Sequence, residues 1–320
     1  MYRAFFNLNR DPFEITPDPA FLFPTKRHNE ALAALYYGVR RHKGFVVLTG
    51  EVGTGKTLLL RCLLQLFKGS RDVAYAYVFN GQLSSHEFLQ YIATDFGLDA
   101  ANKNKSELLL KLYGYVIERN QKNLTTVLVV DEAHLLSKGI LEEIRLLTNL
   151  ETTQSKLLQI LLVGQPELDD KLDSMELRQL KQRISFRSRL EPLDLPETKG
   201  YIERRLQLSS VNPQNAELFS THAIAAVFHY SGGIPRLINT ICENALITAY
   251  SKQVPCVTPE IIEDIAMEFR LGSAYSGSGE KKKPTEREAV PKDALLGLYE
   301  ELQRSLRASN FGEDGESTRE

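Results

Sequence analysis

Two short stretches carry residue types that act together on phosphates. The first, "GEVGTGKT", sets Gly50, Gly53, Gly55, Lys56 and Thr57 in the GxxxxGK[ST] spacing, after an apolar run and before a helical pattern. Glycines are needed because the loop must bring backbone N–H groups close to a phosphate, where a Cβ would intrude. The following helix start adds its partial positive charge. Lys56 is placed to reach the β and γ phosphates, and the Thr57 hydroxyl to complete a Mg2+ shell. Gly50, Glu51, Val52, Gly53, Thr54, Gly55, Lys56, Thr57 and Leu58 are therefore the expected nucleotide-binding residues. The second stretch, "VLVVDE", ends in Asp131 and Glu132. A buried strand delivers Asp131 to the carboxyl edge of a sheet, where it holds Mg2+ through water, and Glu132 orients or deprotonates the attacking water. Without the glycine loop, the same acids would read as a strand-ending turn with solvated carboxylates.

The letters after those acids complete "DEAH", a helicase box. Unwinding requires a second motor domain with its own arginine motif and a nucleic-acid path, and the region after Leu190 reads as a small helical domain instead. His134 is then expected at a helix start with an ordinary hydrogen bond. A further apolar run, "LLQILLVGQPEL", sets Gln165 where a polar side chain could meet the γ-phosphate or the lytic water, although Gly-Gln-Pro alone could be a turn.

These residues need a scaffold, and the chain supplies one. From Phe45, short apolar runs (45–49, 73–79, 126–131, 156–164) alternate with amphipathic segments (56–67, 84–96, 106–119, 138–151, 176–183). Continuous apolar strands separated by helices predict an α/β fold, a doubly wound and mainly parallel sheet with both faces covered. Four helical segments follow: 197–209, 222–231, 237–251 and 259–269. The expected organisation is an N-terminal arm and helix packing on the core (1–43), the α/β nucleotide-binding domain (44–193), a helical lid (194–271) and a flexible polar tail (272–320). Within the tail, 294–306 is a short amphipathic stretch, either a docking peptide or a transient helix in a solvated tail.

Composition narrows the class. The chain has 320 residues, 42% apolar and 25% charged, with a net charge of -2, values of an ordinary soluble protein that give no broad phosphate-binding surface. Cys62, Cys242 and Cys256 lack the spacing of a zinc site or disulfide framework. No run approaches a membrane span and the N-terminus lacks a signal-peptide core, so the expected location is cytoplasmic, or peripheral at the inner membrane through a partner.

With "PFEITPDPAFLF", "HNEALAALYYGV", "GFVVLTGEVGTGKT", "VLVVDEAHLL", "LLQILLVGQPEL", "LKQRISFRSRLEPLDLPET" and "SGGIPRLINTICENAL" in this order, the chain resembles the AAA+ ATPases over residues 5 to 270. Within them it resembles the secretion-pathway ExeA/GspA type, including ATPases of exosortase and exopolysaccharide systems. The resemblance implies a P-loop NTPase of AAA+ type that hydrolyses ATP with Mg2+. Gly50 to Thr57 resembles Walker A, Asp131 and Glu132 resemble Walker B, and Gln165 stands at the sensor 1 strand end, where many members have Asn or Thr. Arg183 stands where the family's arginine finger, donated to a neighbouring subunit's ATP, is expected; Arg178 and Arg187 are the alternatives. Arg236 in "GGIPR" resembles sensor 2. His28 and Asn29 to Leu32 would rim the adenine or simply pack the helix on the sheet. A finger in trans implies a homo-oligomer, such as a ring. Full-length members of the type carry a membrane segment and a cell-wall-binding domain after the lid; the polar tail here departs from that pattern and points away from direct peptidoglycan binding.

The leading expectation is an oligomeric ATPase that remodels or regulates a protein partner, membrane-associated or not, in a secretion or exopolysaccharide pathway. The alternative is an ATP-dependent DNA-binding regulator of the transposition-partner type, which ATP-dependent DNA retention with a steep salt slope would reveal. Nucleic acid is not favoured by charge. A non-catalytic nucleotide-gated scaffold is opposed by the intact Lys56, Asp131 and Glu132.

Overall fold

The computed structural model of the chain describes residues 1–79, 83–152, 155–211 and 218–272. The chain divides into two compact units, each with its own core. One comprises Lys26–Glu51 and Leu59–Leu190; the other comprises Met1–Thr25, Val52–Leu58 and the described residues from Glu191 onward.

In chain order the elements are α1 (Tyr2–Phe5), α2 (Lys26–Arg40), β1 (Phe45–Gly50), α3 (Lys56–Lys68), β2 (Val73–Val78), α4 (Ser85–Asp95), α5 (Lys105–Gln121), β3 (Thr125–Val130), α6 (Lys138–Leu147), β4 (Leu158–Gly164), α7 (Glu167–Asp173), α8 (Arg178–Lys181), β5 (Ile184–Leu190), α9 (Leu195–Ser209), α10 (Thr221–Ser231), α11 (Pro235–Ser251) and α12 (Pro259–Glu268). The five strands form one sheet in the order β2-β3-β4-β1-β5, every pair parallel. β1, β3 and β4 are buried along their whole length, which is why they read as unbroken apolar runs.

β5 escaped the sequence reading. Its residues alternate between exposed Ser185, Arg187 and Arg189 and more sheltered neighbours, as an edge strand requires. With four polar residues in seven, "ISFRSRL" shows none of the continuous apolarity that betrays the central strands. α2 packs on this side of the sheet: a Cβ on Gly38 would lie 2.6 Å from Val46 Cγ2, and Tyr37 meets Phe186 edge to face.

Local chemistry sets the helix starts. Ser84 with Glu87, Asn104 with Glu107 and Asp194 with Glu197 form capping boxes, each satisfying backbone donors reciprocally. The Asp194 cap starts α9 at Leu195, two residues before the expected Glu197.

The second unit is helical, built on α9 to α12, with the apolar faces of Ile202, Leu206, Val227, Ile241, Leu246 and Ile262 buried together. The expected arm of residues 1–43 is not one piece. Phe6, Leu8 and Phe13 are buried in the helical unit's core, while α2 belongs to the α/β unit. Arg205 helps hold the first part: its guanidinium donates to the Pro12 carbonyl at 2.7 Å and lies 4.7 Å from the Phe21 ring centroid. Gly233 is irreplaceable in this unit, since its φ is +76° and a Cβ would fall 1.9 Å from the Leu193 carbonyl oxygen. The expected tail and its 294–306 segment lie outside the described residues, apart from Gly272.

Candidate active site

Because all strands run parallel, the ends of β1, β3 and β4 reach one edge of the sheet. Gly50 closes β1, Asp131 and Glu132 follow β3, and Gln165 follows β4, the strand between the other two. These positions, all in one unit, follow or close neighbouring strands of the sheet.

From Glu51 the chain passes into Val52–Leu58. Gly53 and Gly55 hold φ of +82° and +99°, conformations that side chains rarely adopt. Thr54 and Lys56 are buried, Val52 is half exposed, and Lys56, Thr57 and Leu58 form the first turn of α3. Gly53 has a second duty within its unit. A Cβ there would stand 2.7 Å from Arg236 Cβ and 3.0 Å from Ile234 Cγ2, and its carbonyl accepts the Arg236 backbone N–H at 3.2 Å. Arg236 itself lies at the start of α11 with an exposed side chain.

Asp131 is 5% exposed. Its Oδ2 accepts the Tyr77 hydroxyl at 2.8 Å and its Oδ1 accepts the Glu132 N–H at 2.9 Å, so both carboxylate oxygens are oriented. Burial, reinforced by the adjacent Asp131 charge, pushes the Tyr77 phenol well above its ordinary value and keeps it a donor. The sequence reading missed Tyr77, because one tyrosine in an alternating strand carries no signal of the carboxylate across the β2–β3 ladder.

Glu132 adopts a left-handed backbone, φ 51° and ψ 35°. For a residue with a Cβ this costs about 1 kcal/mol. The kink ends the strand and starts a single 3-10 turn, Ala133–Leu135. Gly164 permits the turn to pack on β4, since a Cβ would lie 3.0 Å from the His134 backbone nitrogen. Lys171 bonds the His134 carbonyl and, at 3.1 Å, the Leu136 carbonyl.

His134 does more than start a helical turn. Its Nδ1 accepts the Gln165 N–H at 3.4 Å and stands 3.3 Å from Glu132 Oε2. That oxygen is buried and has no hydrogen bond, although the rest of the Glu132 side chain is 43% exposed.

The arginines differ in placement. Arg183 immediately precedes β5, whose Ile184 is level with Phe45 and whose Leu190 is level with Gly50. It therefore lies at the edge of the sheet opposite to Gly50, about 20 Å away at ~3.3 Å per residue, and donates to Thr148 Oγ1 at 2.8 Å. Arg187 is mid-strand and ion-paired to Asp169 (3.4 Å) and Asp173 (3.1 Å); Asp169 also accepts the Thr49 hydroxyl at 2.7 Å, tying β1 to α7. Arg178 is exposed at the start of α8. His28, Ala31 and Leu32 are buried in α2, as packing of that helix requires.

The residues fit a magnesium nucleotide on their own chemistry. Glycine-permitted loop backbone and a buried lysine at a helix start suit phosphate, an oriented carboxylate suits a hydrated cation, and a buried, unbonded glutamate oxygen suits a proton acceptor.

The comparisons agree with this reading of the fold. Residues 39–172 match the AAA domain family. General secretion pathway protein A of Aeromonas hydrophila is 44% identical over 254 residues, 79% of this chain and 45% of that protein, so the chain spans about half the length of this relative. Among solved structures, the Aeropyrum pernix ORC2 protein aligns with TM-score 0.60 at 18% identity, over 81% of this chain and 72% of that one. The Thermotoga maritima RuvB Holliday junction branch migration motor aligns with TM-score 0.51 at 15% identity, over 80% and 72%. Among the described residues, no helix is long and apolar enough to cross a membrane. By sequence and fold, the chain belongs to the AAA-type P-loop NTPases, as a relative of general secretion pathway protein A.

Proposed function

We propose that the chain is a Mg2+-dependent ATPase in which Glu132 activates the attacking water. The observation that carries this is the Asp131–Glu132 pair at the sheet edge shared with Gly50: one acid buried and oriented by two donors, the other kinked out of the strand with an unbonded buried oxygen. Backbone N–H groups of 50–57 and the Lys56 ammonium hold the phosphates, and Thr57 and Asp131 hold the cation. Bound Mg2+ supplies positive charge against that developing on the phosphoryl oxygens. Glu132 takes the water proton as the water oxygen bonds the γ-phosphorus; the bond to the bridging oxygen breaks and ADP leaves with its electron pair. Gln165 and Arg236 contact the γ-phosphate side of the bound nucleotide in this scheme.

The active form in this proposal is a homo-oligomer. Arg183 lies too far from Gly50 of its own chain to serve it, and a position on the opposite sheet edge suits a guanidinium given to a neighbour. The relationship to general secretion pathway protein A supports a role for the ATPase cycle in remodelling a protein partner, membrane-associated, of a secretion or exopolysaccharide assembly system.

Nucleotide binding tests the first step. Wild type should bind a fluorescent ATP analogue only with Mg2+ present at full affinity, and Lys56→Ala should lose most of that binding; equal affinity in the two proteins would remove the phosphate role of the loop.

A further inference from the structure

We propose that His134 is a positioning residue that couples the end of β4 to Glu132, its Nδ1 exchanging between the Gln165 N–H and the Glu132 carboxylate. The inference rests on the water-activating role of Glu132 given above.

One ring nitrogen faces two partners with opposite demands. The Gln165 N–H needs a lone pair, 3.4 Å away, whereas Glu132 Oε2 needs a proton, 3.3 Å away. A neutral imidazole carries its proton on one nitrogen only. With the proton on Nε2, Nδ1 serves Gln165 and leaves Glu132 Oε2 without a hydrogen bond, the arrangement in which that buried oxygen is unbonded. With the proton on Nδ1, the ring clamps Glu132 and releases the Gln165 N–H. Both distances are at the long end for hydrogen bonds, as expected of an atom shared by two neighbours.

The scaffold around the ring is fixed. Lys171 holds the His134 carbonyl, Gly164 leaves room for the turn, and the left-handed Glu132 backbone sets the approach of the two side chains. Within that turn only the imidazole and the Glu132 carboxylate are free to trade partners, while the third group, the main-chain N–H of Gln165, moves with the end of β4. Gln165 stands directly after β4, between the strands that lead to Gly50 and Asp131. A shift of that strand end on phosphate contact would thus reach Glu132 through a single imidazole. The proton count is the same in both arrangements, so the exchange is of tautomer and not of charge.

Substitutions of the full chain separate the roles. His134→Asn keeps a polar atom at the Nδ1 position, whereas His134→Ala removes it. The expected result is a kcat lowered about tenfold or more in the alanine variant, with KM and ATP affinity unchanged, and recovery to within about threefold in the asparagine variant. In a Glu132→Gln background, His134→Ala should change the residual single-turnover rate by less than about twofold, because a residue acting through Glu132 has nothing left to position. The same fold loss in both backgrounds would overturn the proposal, as would an alanine variant with wild-type kcat. Nitrogen NMR of the labelled His134 ring gives a readout apart from turnover. Glu132→Gln places an amide donor beside Nδ1 and should shift the ring toward the Nε2–H tautomer; identical signals in the two proteins would overturn the contact itself. If Glu132→Gln hydrolyses ATP normally, the proposed function fails; if it stops hydrolysis while His134→Ala does not, the His134 inference fails alone.

Discussion

The backbone N–H of Arg236 donates to the carbonyl of Gly53 at 3.2 Å, and no room for a Cβ exists between them. Gly53 is thus fixed twice, by its positive φ and by the close approach of the Ile234–Arg236 segment. Gly53→Ala should destabilise the protein by about 1–3 kcal/mol through overpacking and weaken ATP binding at the same time. Thermal melts and nucleotide titration of one preparation check this; an alanine variant with unchanged melting temperature would show that the Ile234–Arg236 segment yields freely.

Tyr77 orients the Asp131 carboxylate from a neighbouring strand. Tyr77→Phe keeps the ring and removes the donor, so it should raise the Mg2+ concentration for half-maximal turnover by about tenfold or more while leaving ATP affinity without metal unchanged. A Mg2+ titration identical to wild type would show that the Glu132 N–H alone suffices to orient the carboxylate.

Arg183 acts on a neighbour in the oligomeric scheme. Arg183→Ala should lower turnover on the order of 10³-fold, the loss typical of an arginine finger. Mixing it with Lys56→Ala, also inactive alone, should restore activity, because each supplies what the other lacks. Mixtures as inactive as their components would favour a local role through Thr148.

The Tyr2 hydroxyl faces both Asp11 (2.9 Å) and Glu243 (2.7 Å), yet its one proton can serve only one of them. Burial, with Asp11 and Glu14 nearby, raises the Glu243 carboxyl above its ordinary value despite the opposing Tyr2 hydrogen bond. A raised folded-state pKa means that this contribution to stability is complete below the unfolded value of about 4.3 and is lost as pH rises through the folded one. Wild type should therefore lose melting temperature relative to Glu243→Gln as pH rises above about 4.3. Parallel curves for the two proteins would contradict the sign or the site.

The parts legible in the sequence were those whose physics is local or repetitive. Buried parallel strands appear as unbroken apolar runs, so β1, β3 and β4 were readable, and the glycine loop and the acid pair announced themselves by spacing. β5 was not, because an edge strand alternates and four of its seven residues are polar. The split of the first 43 residues was hidden as well: nothing near Phe6, Leu8 and Phe13 says that their partners are in α9 to α12, some 200 positions later. Tyr77 and the two-sided contacts of His134 arise from neighbouring strand ends, which a linear pattern does not encode. The "DEAH" letters were informative for their first two residues, and the histidine acquired a meaning only from its distances.

Single-turnover hydrolysis of γ-labelled ATP by wild type and Glu132→Gln tests the central claim most directly. Wild type should release labelled phosphate in the presence of Mg2+, and Glu132→Gln should retain intact ATP with the rate down by about 10²–10⁴-fold and undiminished binding. Hydrolysis by Glu132→Gln at the wild-type rate would contradict the account.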